Sequence, residues 1–367
     1  MADLQEAWEL AVDPADIRRT KVRPRNLPAA SDLEEGRVLV RVDQLGFSAN
    51  NVLYAVLGHQ NHYWDIYPTV GPWGLVPAWG YADVIASRSP DLAVGARIFG
   101  LFPLASHAEL GVEALFPNRF RDPTPHRQAA AEAYHGYTAR PPVSIVDDKL
   151  TAVEMLVRPL LMVSWLASLH FAEQAYFGAR NLIISSASSK TAIGLAFLAK
   201  ASGAVENIIG LTSPSNRAYV ASLGYYDEVV LYEDLAKLAP AQKGVFFDVA
   251  GDAKIRDGVH RRLGDNLVHS ATVGLAHWDA DHKAAPDLPG PPPTVFFAPS
   301  YMERYAREWG GAPALFQRYE EASAPFVKAA SEWLKLVEVK GPEAIEATYL
   351  EFLSGSRPPN EGLILRF

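Results

Sequence analysis

The chain has 367 residues and a mass of 40.1 kDa, a length that favours two packed domains over a single small core. Hydrophobic residues make up 49% of the sequence and charged residues 21%, proportions that are typical of globular proteins and exclude wholesale disorder and fibrous repeats. The formal net charge is −8 without a dense run of Lys and Arg, which argues against a nucleic-acid partner, and the absence of cysteine excludes disulfides, cysteine-ligated zinc and thiol catalysis.

The N-terminal part of the chain is predicted to be a small β-barrel that extends to about residue 150. Residues 1–35 are polar and mixed, which favours an edge hairpin or an arm. Residues 46–82 alternate glycine, proline and aromatic residues without a clear period, so we expect a long ordered loop with one short helix near Val52–Leu57. Apolar segments bounded by turn residues predict strands at Val38–Val42, Asp83–Ser87 and Ala96–Phe102.

Strands and helices alternate after residue 150, a spacing that predicts parallel βαβ units in a doubly wound sheet. Glu154–Phe177 is predicted to be a long, mainly apolar helix with Pro159 in its opening turn. The proline-rich stretch Pro286–Pro293 is interpreted as a surface loop. Further strands are predicted at Asn181–Ser186, Asn207–Leu211, Glu228–Tyr232, Gly244–Val249, Leu267–Val273 and Thr294–Phe297, and further helices at Lys190–Ser202 and Ser215–Leu223.

The segment between Ile184 and Gly194 is a candidate phosphate-binding turn. It follows an apolar strand and leads into a predicted helix, whose free N–H groups and dipole favour an anion. The glycines of the usual GxGxxG pattern are replaced by serine and alanine, and Gly194 alone remains, at a packing position. Serine hydroxyls can donate to phosphate, although an ordinary N-capped turn would use the same residue types. The residues assigned to this site are Ser186, Ser188, Ser189, Lys190 and Thr191.

The end of the next predicted strand bears on the choice of cofactor. Folds that prefer NAD place an Asp or Glu here to bind the ribose 2′-hydroxyl, and this chain has no acid at that point. Thr212, Ser213, Asn216 and Arg217 suit a 2′-phosphate instead, although a serine N-cap beside a solvent-facing arginine would look the same. Both turns together favour NADP(H) over NAD(H).

At these residues the chain resembles the medium-chain dehydrogenase/reductase superfamily, in its zinc-free quinone-oxidoreductase branch. Leu223–Val229 is similar to that superfamily's LGAD…V stretch, Phe247–Gly251 to its D.vGG strand end, and Gly341–Leu365 to its C-terminal pattern. More specifically, the stretches SANNVLYAVLG, PAWGYADV, SSASSKTAIGLA, GLTSPSN and FFAP resemble DUF2855 proteins, a branch whose name carries no reaction.

The resemblance implies a GroES-like β-barrel domain followed by a Rossmann-type domain. It places the first domain at residues 1–153, completed by residues 336–367, and the dinucleotide-binding domain at residues 154–335. It also implies a homodimer whose sheet continues across a two-fold axis. Zinc-dependent members use Cys and His ligands, and this sequence has neither a Cys nor an HExxH-like spacing, so we expect no metal.

Hydride transfer without zinc needs a proton donor to the substrate, and tyrosine is a common one in zinc-free reductases. Three clusters of polar and aromatic residues could supply it, around Tyr54, Tyr63 and Tyr134. Tyr54 and Tyr63 are preferred because they lie in the segment equivalent to the superfamily's substrate-facing loop. In the alternative interpretation, the asparagines satisfy turn backbone and the tyrosines pack in the core. The catalytic candidates are Tyr54, Tyr63, Asn51, Tyr134 and Tyr137.

The resemblance adds positions on the cofactor side. Gly274, His277 and Trp278 stand where the superfamily backbone passes the nicotinamide ribose. Phe297 stands on the last predicted strand, which in relatives lies near the dimer interface and the nicotinamide. Ser164 could also lie near the nicotinamide. Asp248 is interpreted as the holder of a structural turn.

The sequence supports three hypotheses of function. The first is a cytoplasmic NADP(H)-dependent, zinc-independent reductase that transfers hydride to an activated alkene or carbonyl of a small-molecule substrate. The second is a lyase or isomerase that uses a Tyr/His acid–base pair, and the third is a non-catalytic dinucleotide-binding protein. No apolar stretch approaches the ~20 residues that span a bilayer, and Met1–Glu6 has no signal-peptide character, so we expect no membrane association.

Overall fold

The chain folds into two compact units. Unit 1 comprises Met1–Leu156 and Leu334–Phe367, and unit 2 comprises Val157–Trp333, so the second unit is inserted in the sequence of the first. Trp278 and the segment Met1–Glu6 lie outside the described residues. The computed structural model describes residues 7–140, 148–274, 277, 280–283, 285, 287–354 and 357–367.

The helices and strands are numbered in chain order. The strands are β1 (Trp8–Asp13), β2 (Asp16–Pro24), β3 (Arg37–Phe47), β4 (Gly74–Leu75), β5 (Pro77–Ser87), β6 (Arg97–Pro103), β7 (His107–Gly111), β8 (Glu113–Phe116), β9 (Arg119–Arg121), β10 (Gly136–Arg140), β11 (Asn181–Ile184), β12 (Asn207–Thr212), β13 (Glu228–Leu231), β14 (Gly244–Asp248), β15 (Leu267–Thr272), β16 (Thr294–Val295), β17 (Lys335–Lys340) and β18 (Glu361–Arg366). The α-helices are α1 (Ala49–Val56), α2 (Asp148–Glu173), α3 (Lys190–Ser202), α4 (Arg217–Ser222), α5 (Ala253–Leu263), α6 (Ala298–Glu308), α7 (Ala312–Trp333) and α8 (Pro342–Leu353).

Unit 1 is built mainly from antiparallel strands. β1 and β2 form the predicted N-terminal hairpin, and β4 pairs with β1 to complete a three-stranded sheet. A nine-stranded sheet has the order β17-β18-β3-β5-β6-β10-β9-β8, and β7 joins it by pairing with β3. β18, from the C-terminal part of the chain, pairs antiparallel with β3, with Leu363 opposite Phe47.

The segment 46–82 is more regular than its composition predicts. A short helix is present as expected, but the prediction of loop is wrong for Gly74–Leu75, which form strand β4, and for the last six residues, which open strand β5. The start of β5 was predicted as loop because it contains Gly80. In the fold this glycine lets β5 approach β3 closely. A Cβ atom on Gly80 would lie 2.0 Å from the carbonyl oxygen of Gln44 on β3.

Trp64 fixes the loop between α1 and β4. A Cβ atom on Gly58 would lie 2.0 Å from its Nε1 atom, and a Cβ atom on Gly74 would lie 2.3 Å from its Cε3 atom. The buried indole therefore sits between two glycines, where larger residues would displace it. The same loop carries Tyr63, so its position depends on this packing.

Unit 2 contains one six-stranded parallel sheet, as the alternation of strands and helices predicts. Its order is β13-β12-β11-β14-β15-β16, with β11 paired parallel to both β12 and β14. The strands are short and fully apolar at the centre, as is typical of a sheet covered by helices on both faces. Core residues on one face include Ile183, Leu211, Val230, Phe246, Val259 and Leu267.

Two sequence-based expectations for unit 2 are wrong. The last strand ends at Val295, and Ala298 and Pro299 open helix α6, because a proline in the first turn lacks only an N–H that the helix leaves unpaired. Pro159 lies inside helix α2 and not in its opening turn, since the helix begins at Asp148. At that point it withholds one backbone hydrogen bond.

Helix α2 also corrects the expectation about apolar length. Within the described residues, Lys149–Glu173 is the one helix that is long and apolar enough by length and composition to cross a membrane. Of its most apolar window, 78% is buried inside the protein, which is the burial of a core helix.

Candidate functional site

A serine-rich turn joins β11 to α3 at the carboxyl end of a central parallel strand. Helix α3 has the predicted bounds, and the hydroxyl of Ser189 caps it by accepting the N–H of Ala192 at 3.3 Å. Lys190 and Thr191 are the first two helical residues. Ligands of open α/β sheets bind at such strand ends, so this turn is in the position of a phosphate site.

The backbone of the turn adopts a conformation that normally favours glycine. Ser186 has a φ of +50°, in the left-handed region. Its N–H donates to the hydroxyl of Tyr232 at 3.0 Å, and the hydroxyl of Tyr226 donates to the carbonyl oxygen of Ala187 at 2.9 Å. Sequence reasoning assigned neither tyrosine to the site: Tyr226 lies in the stretch Leu223–Val229, which was used only for the family resemblance, and Tyr232 lies in no motif.

Ser185 ties the turn to the end of β14. Its hydroxyl donates to Asp248 Oδ1 at 2.7 Å and accepts the N–H groups of Val249 and Ala250 at 2.8 and 2.9 Å. Asp248 also accepts the N–H of Gly251 at 3.0 Å, and burial raises the pKa of its carboxyl. These contacts agree with Asp248 as the holder of a structural turn.

The end of β12 supplies a second group of polar residues. The amide of Asn216 donates to the Ser188 hydroxyl at 3.1 Å, which joins the two turns that the sequence singled out. The Ser213 and Ser215 hydroxyls lie 2.9 Å apart, and Arg217 is exposed at the start of α4.

These groups fit a bound phosphate. The Ser188 hydroxyl accepts from Asn216 and keeps its own proton for a ligand. The Oγ1 atom of Thr212 is buried and has no hydrogen-bond partner in the part of the chain that the structure describes, although such buried groups are normally satisfied. The donor set is therefore incomplete without a ligand or ordered water.

Other predicted cofactor residues lie beside the same strand ends. A Cβ atom on Gly274 would lie 3.1 Å from the carbonyl oxygen of Val249, so glycine lets the backbone approach the end of β14. The N–H of His277 donates to the Ala250 carbonyl at 2.9 Å. Phe297 is 41% exposed ahead of α6, and no described hydrogen bond or ring contact joins it to the serine turn.

Ser164 and Gly194 hold α2 against α3. The Ser164 hydroxyl donates to the carbonyl oxygen of Thr191 at 2.7 Å. A Cβ atom on Gly194 would lie 2.9 Å from the Ser164 oxygen, so Gly194 does occupy a packing position. The suggested place of Ser164 near a nicotinamide stays a prediction.

Three tyrosines of unit 1 form a phenol cluster. The ring centroids of Tyr54 and Tyr63 lie 4.7 Å apart, those of Tyr63 and Tyr134 5.2 Å, and those of Tyr54 and Tyr134 6.0 Å. The hydroxyl oxygens of Tyr63 and Tyr134 are 3.1 Å apart. The structure thus unites candidates that the sequence placed in three separate segments.

Neighbouring donors determine which hydroxyls of this phenol cluster accept hydrogen bonds and which keep a proton to donate. The indole N–H of Trp79 donates to the Tyr54 hydroxyl at 3.1 Å, and the amide of Asn61 donates to the Tyr63 hydroxyl at 3.4 Å. Burial raises the pKa of Tyr54 and of Tyr134, so both phenols stay protonated at neutral pH. Because Tyr63 accepts from Asn61, it can donate to the half-buried Tyr134, whose own proton is then available.

The two remaining catalytic candidates lie elsewhere in unit 1. The amide of Asn51 accepts the N–H of Ser48 at 2.8 Å in a capping box and donates to the Pro77 carbonyl at 3.1 Å, so it serves the backbone. Tyr137 is fully buried, and its hydroxyl contacts Tyr67 at 2.8 Å and Arg127 Nη1 at 2.9 Å. Both arrangements match the alternative, structural interpretation of these residues.

The described residues contain no group of three or more His, Cys, Asp or Glu side chains that could hold a metal ion.

Comparison with known families gives a match over most of the chain. Residues 45–358 match the family described as "Protein of unknown function (DUF2855)". No curated protein matches the sequence.

Solved structures share the whole fold at low sequence identity. A candidate NADPH:quinone reductase from Mesorhizobium loti is 14% identical, with 100% of both chains covered and a TM-score of 0.58. The YhdH oxidoreductase from Salmonella enterica, solved with NADP, is 15% identical over 98% of this chain and 99% of that one, with a TM-score of 0.53. A mutant enoyl thioester reductase from Candida tropicalis is 12% identical over 99% and 100%, with a TM-score of 0.56. These likenesses confirm the expected fold, a GroES-like domain with a Rossmann-type domain.

Proposed function

The chain belongs to the DUF2855 family, and we propose that it is an NADP(H)-dependent reductase that delivers hydride to an activated alkene or carbonyl without zinc. The observation that carries the proposal is the paired polar turns at the ends of β11 and β12, which fit a phosphate and include no acid. The similar folds include an NADP complex and reductases of quinones and enoyl thioesters, which supports the same cofactor and reaction class.

In this proposal unit 2 holds the cofactor. The N-terminus of α3 and the Ser188 hydroxyl bind the pyrophosphate, while Lys190 adds positive charge. Ser213 and Arg217 bind the 2′-phosphate, and Asn216 orients Ser188. Bound NADPH supplies the hydride. The proposed cofactor site is completed by seven further residues: Ser186, Ser189, Thr191, Thr212, Gly274, His277 and Phe297.

Unit 1 supplies the proton in this proposal. Tyr134 is the donor, since its hydroxyl can receive a hydrogen bond from Tyr63 and keep its own proton. Tyr63 and Tyr54 position the Tyr134 ring, and Asn51 and Tyr137 support the surrounding backbone. We assign residues 1–153 with 336–367 to the substrate domain and residues 154–335 to the dinucleotide-binding domain.

The test is calorimetric titration of the purified protein with NADPH and with NADH. We expect tighter binding of NADPH, because residues 212–217 at the end of β12 include Arg217 and no acid that would repel a 2′-phosphate. Arg217→Ala should weaken NADPH binding by about tenfold, the effect of about 1.4 kcal/mol, and leave NADH binding unchanged. The matched control is Arg261→Ala, which removes an exposed arginine of α5.

A screen of quinones, enals and enoyl thioesters with NADPH then tests the reaction. Consumption of NADPH with one of these small molecules would support the reductase. Equal affinity for both nucleotides would contradict the cofactor preference. Absence of binding would refute the proposal and favour cofactor-free lyase or isomerase chemistry.

We further propose a cytoplasmic homodimer that associates through the edge of the unit 2 sheet. β16 is the edge strand, and it exposes Val295 at 80% beside Phe297 at 41%. Among the described residues β16 pairs on one side only, with β15, and an edge with apolar side chains favours pairing with a second copy. Light scattering should report the mass of a dimer, and Val295→Lys should shift it to a monomer.

A further inference from the structure

The serine turn keeps a binding conformation without the glycines that usually permit it. Ser186 lies at a φ of +50°, where a side chain costs on the order of 1 kcal/mol relative to glycine. The first four residues of the turn each bond to another part of unit 2: Ser185 to Asp248, Ser186 to Tyr232, Ala187 to Tyr226 and to Leu211, and Ser188 to Asn216.

The backbone that carries Tyr226 is held in place by its neighbour Asp227. The next residue, Asp227, donates its N–H to the Ile208 carbonyl at 2.8 Å and accepts the Ile208 N–H at 3.0 Å. Its carboxylate also pairs with Lys200 at 2.7 Å. These bonds fix the main chain beside Tyr226 to the amino-terminal end of β12.

Gly210 makes room for the Tyr226 ring under the turn. A Cβ atom on Gly210 would lie 2.8 Å from the Tyr226 Cδ1 atom and 2.9 Å from the Ala187 Cβ atom. The phenol thus passes over the β12 backbone and donates to the Ala187 carbonyl at 2.9 Å. Tyr232 meets the turn one residue earlier, at the Ser186 N–H.

We propose that Tyr226 is a positioning residue that holds the phosphate turn ready for the nucleotide, in place of the missing glycines. This inference rests on the proposed function only for the identity of the ligand. Tyr226 acts through the Ala187 carbonyl and does not touch the ligand. Tyr232 holds the peptide group that precedes Ser186, and Tyr226 holds the one that follows Ala187. The N–H of Ala187, bonded to the Leu211 carbonyl at 3.0 Å, fixes the peptide group between them, so the backbone on both sides of Ser186 is held in the conformation of the turn.

The test combines Tyr226→Phe with Ser186→Gly. Loss of one buried hydrogen bond should raise the NADPH dissociation constant about tenfold. Adding Ser186→Gly should restore much of the affinity, because glycine reaches the same φ without a steric cost. A merely structural tyrosine would show no such rescue. Tyr225→Phe is the matched control, since that neighbouring ring packs against Phe197 away from the turn.

Amide hydrogen exchange of the unliganded protein separates this inference from the proposed function. Faster exchange at Ala187 in Tyr226→Phe, with other sheet amides unchanged, would support Tyr226 as the holder of the turn even if NADPH fails to bind. Unchanged exchange at Ala187 would overturn the inference. Unchanged NADPH affinity in Tyr226→Phe would overturn it as well. So would a loss of affinity in Tyr226→Phe that is the same in the double variant with Ser186→Gly.

Discussion

The hydroxyl of Tyr63 lies 3.1 Å from that of Tyr134, although 71 positions separate the two residues in the sequence. A second phenol pair joins the same two segments, since the hydroxyls of Tyr67 and Tyr137 are 2.8 Å apart. The second pair is buried against Arg127, whose guanidinium lies 4.3 Å from the Tyr67 ring centroid. Two parallel contacts therefore fix the segments that carry the proposed proton donor.

Tyr134→Phe should lower turnover at least about 100-fold, because it removes the proposed proton donor and keeps the ring. Tyr63→Phe should have a smaller effect, since the Tyr134 hydroxyl remains. Steady-state kinetics with NADPH and the best substrate of the screen measure both, and NADPH affinity should not change. Tyr301→Phe in unit 2 is the control, and full turnover by Tyr134→Phe would contradict the assignment.

Gly74→Ala should destabilise unit 1 by about 3 kcal/mol, because the added Cβ would collide with the Trp64 indole. Urea unfolding followed by tryptophan fluorescence measures the change. In the control, Gly136→Ala, the new Cβ finds its nearest atom at 3.4 Å, in ordinary contact. Equal stability of the two variants would show that Trp64 can move aside.

Ser185→Ala should lower the free energy of unfolding by about 3 kcal/mol. The change removes one donor to Asp248 and leaves the buried N–H groups of Val249 and Ala250 without their acceptor. Urea unfolding measures it. Ser222→Ala, at an exposed hydroxyl, should cost little, and a similar loss in both variants would refute the role of Ser185.

His107 should make the protein less stable as the pH falls. Burial, and next the charges of Arg41 and Arg25, lower the pKa of His107 to about 4 from the model-peptide value of about 6.5. Between these values the unfolded chain binds the proton and the folded chain does not, so the free energy of unfolding decreases from about pH 6.5 to about pH 4 and then levels off.

Urea unfolding across that pH range measures this effect. His107→Asn should flatten the dependence by at most about 3 kcal/mol, which corresponds to the full pKa shift. His59→Asn, at an exposed histidine, is the control. An unchanged pH dependence in His107→Asn would contradict the prediction.

Local signals predicted the elements whose boundaries are set by local chemistry. Helix α3 has its predicted bounds because Ser189 caps its start and Gly203, with a φ of +62°, ends it. The beginning of β5 was missed because the glycine needed for close strand approach looks the same in sequence as a loop glycine. Pro299 did offer a local signal for the start of α6.

The candidate site was predictable only in part, because local sequence signals do not show which distant residues come into contact. Ser188 and Asn216 each stand at a strand end, where sequence identifies polar turns, but their contact depends on the sheet order. Tyr54, Tyr63 and Tyr134 were named as separate candidates, since nothing in a linear pattern shows that three rings converge. Tyr226 escaped notice because its role comes from reaching across Gly210.

The insertion of unit 2 within unit 1 has a consequence for the order of events during synthesis. Unit 2 is one continuous segment, so its sheet can be completed once Trp333 has left the ribosome. Unit 1 is completed later: β3 can pair with β5 and β7 as these strands are made, but its pairing with β18 waits until Leu363 can lie opposite Phe47. The end of β3 around Phe47 is thus among the last parts of the sheet to be paired, and this edge stays unpaired until the C-terminal strands have been made.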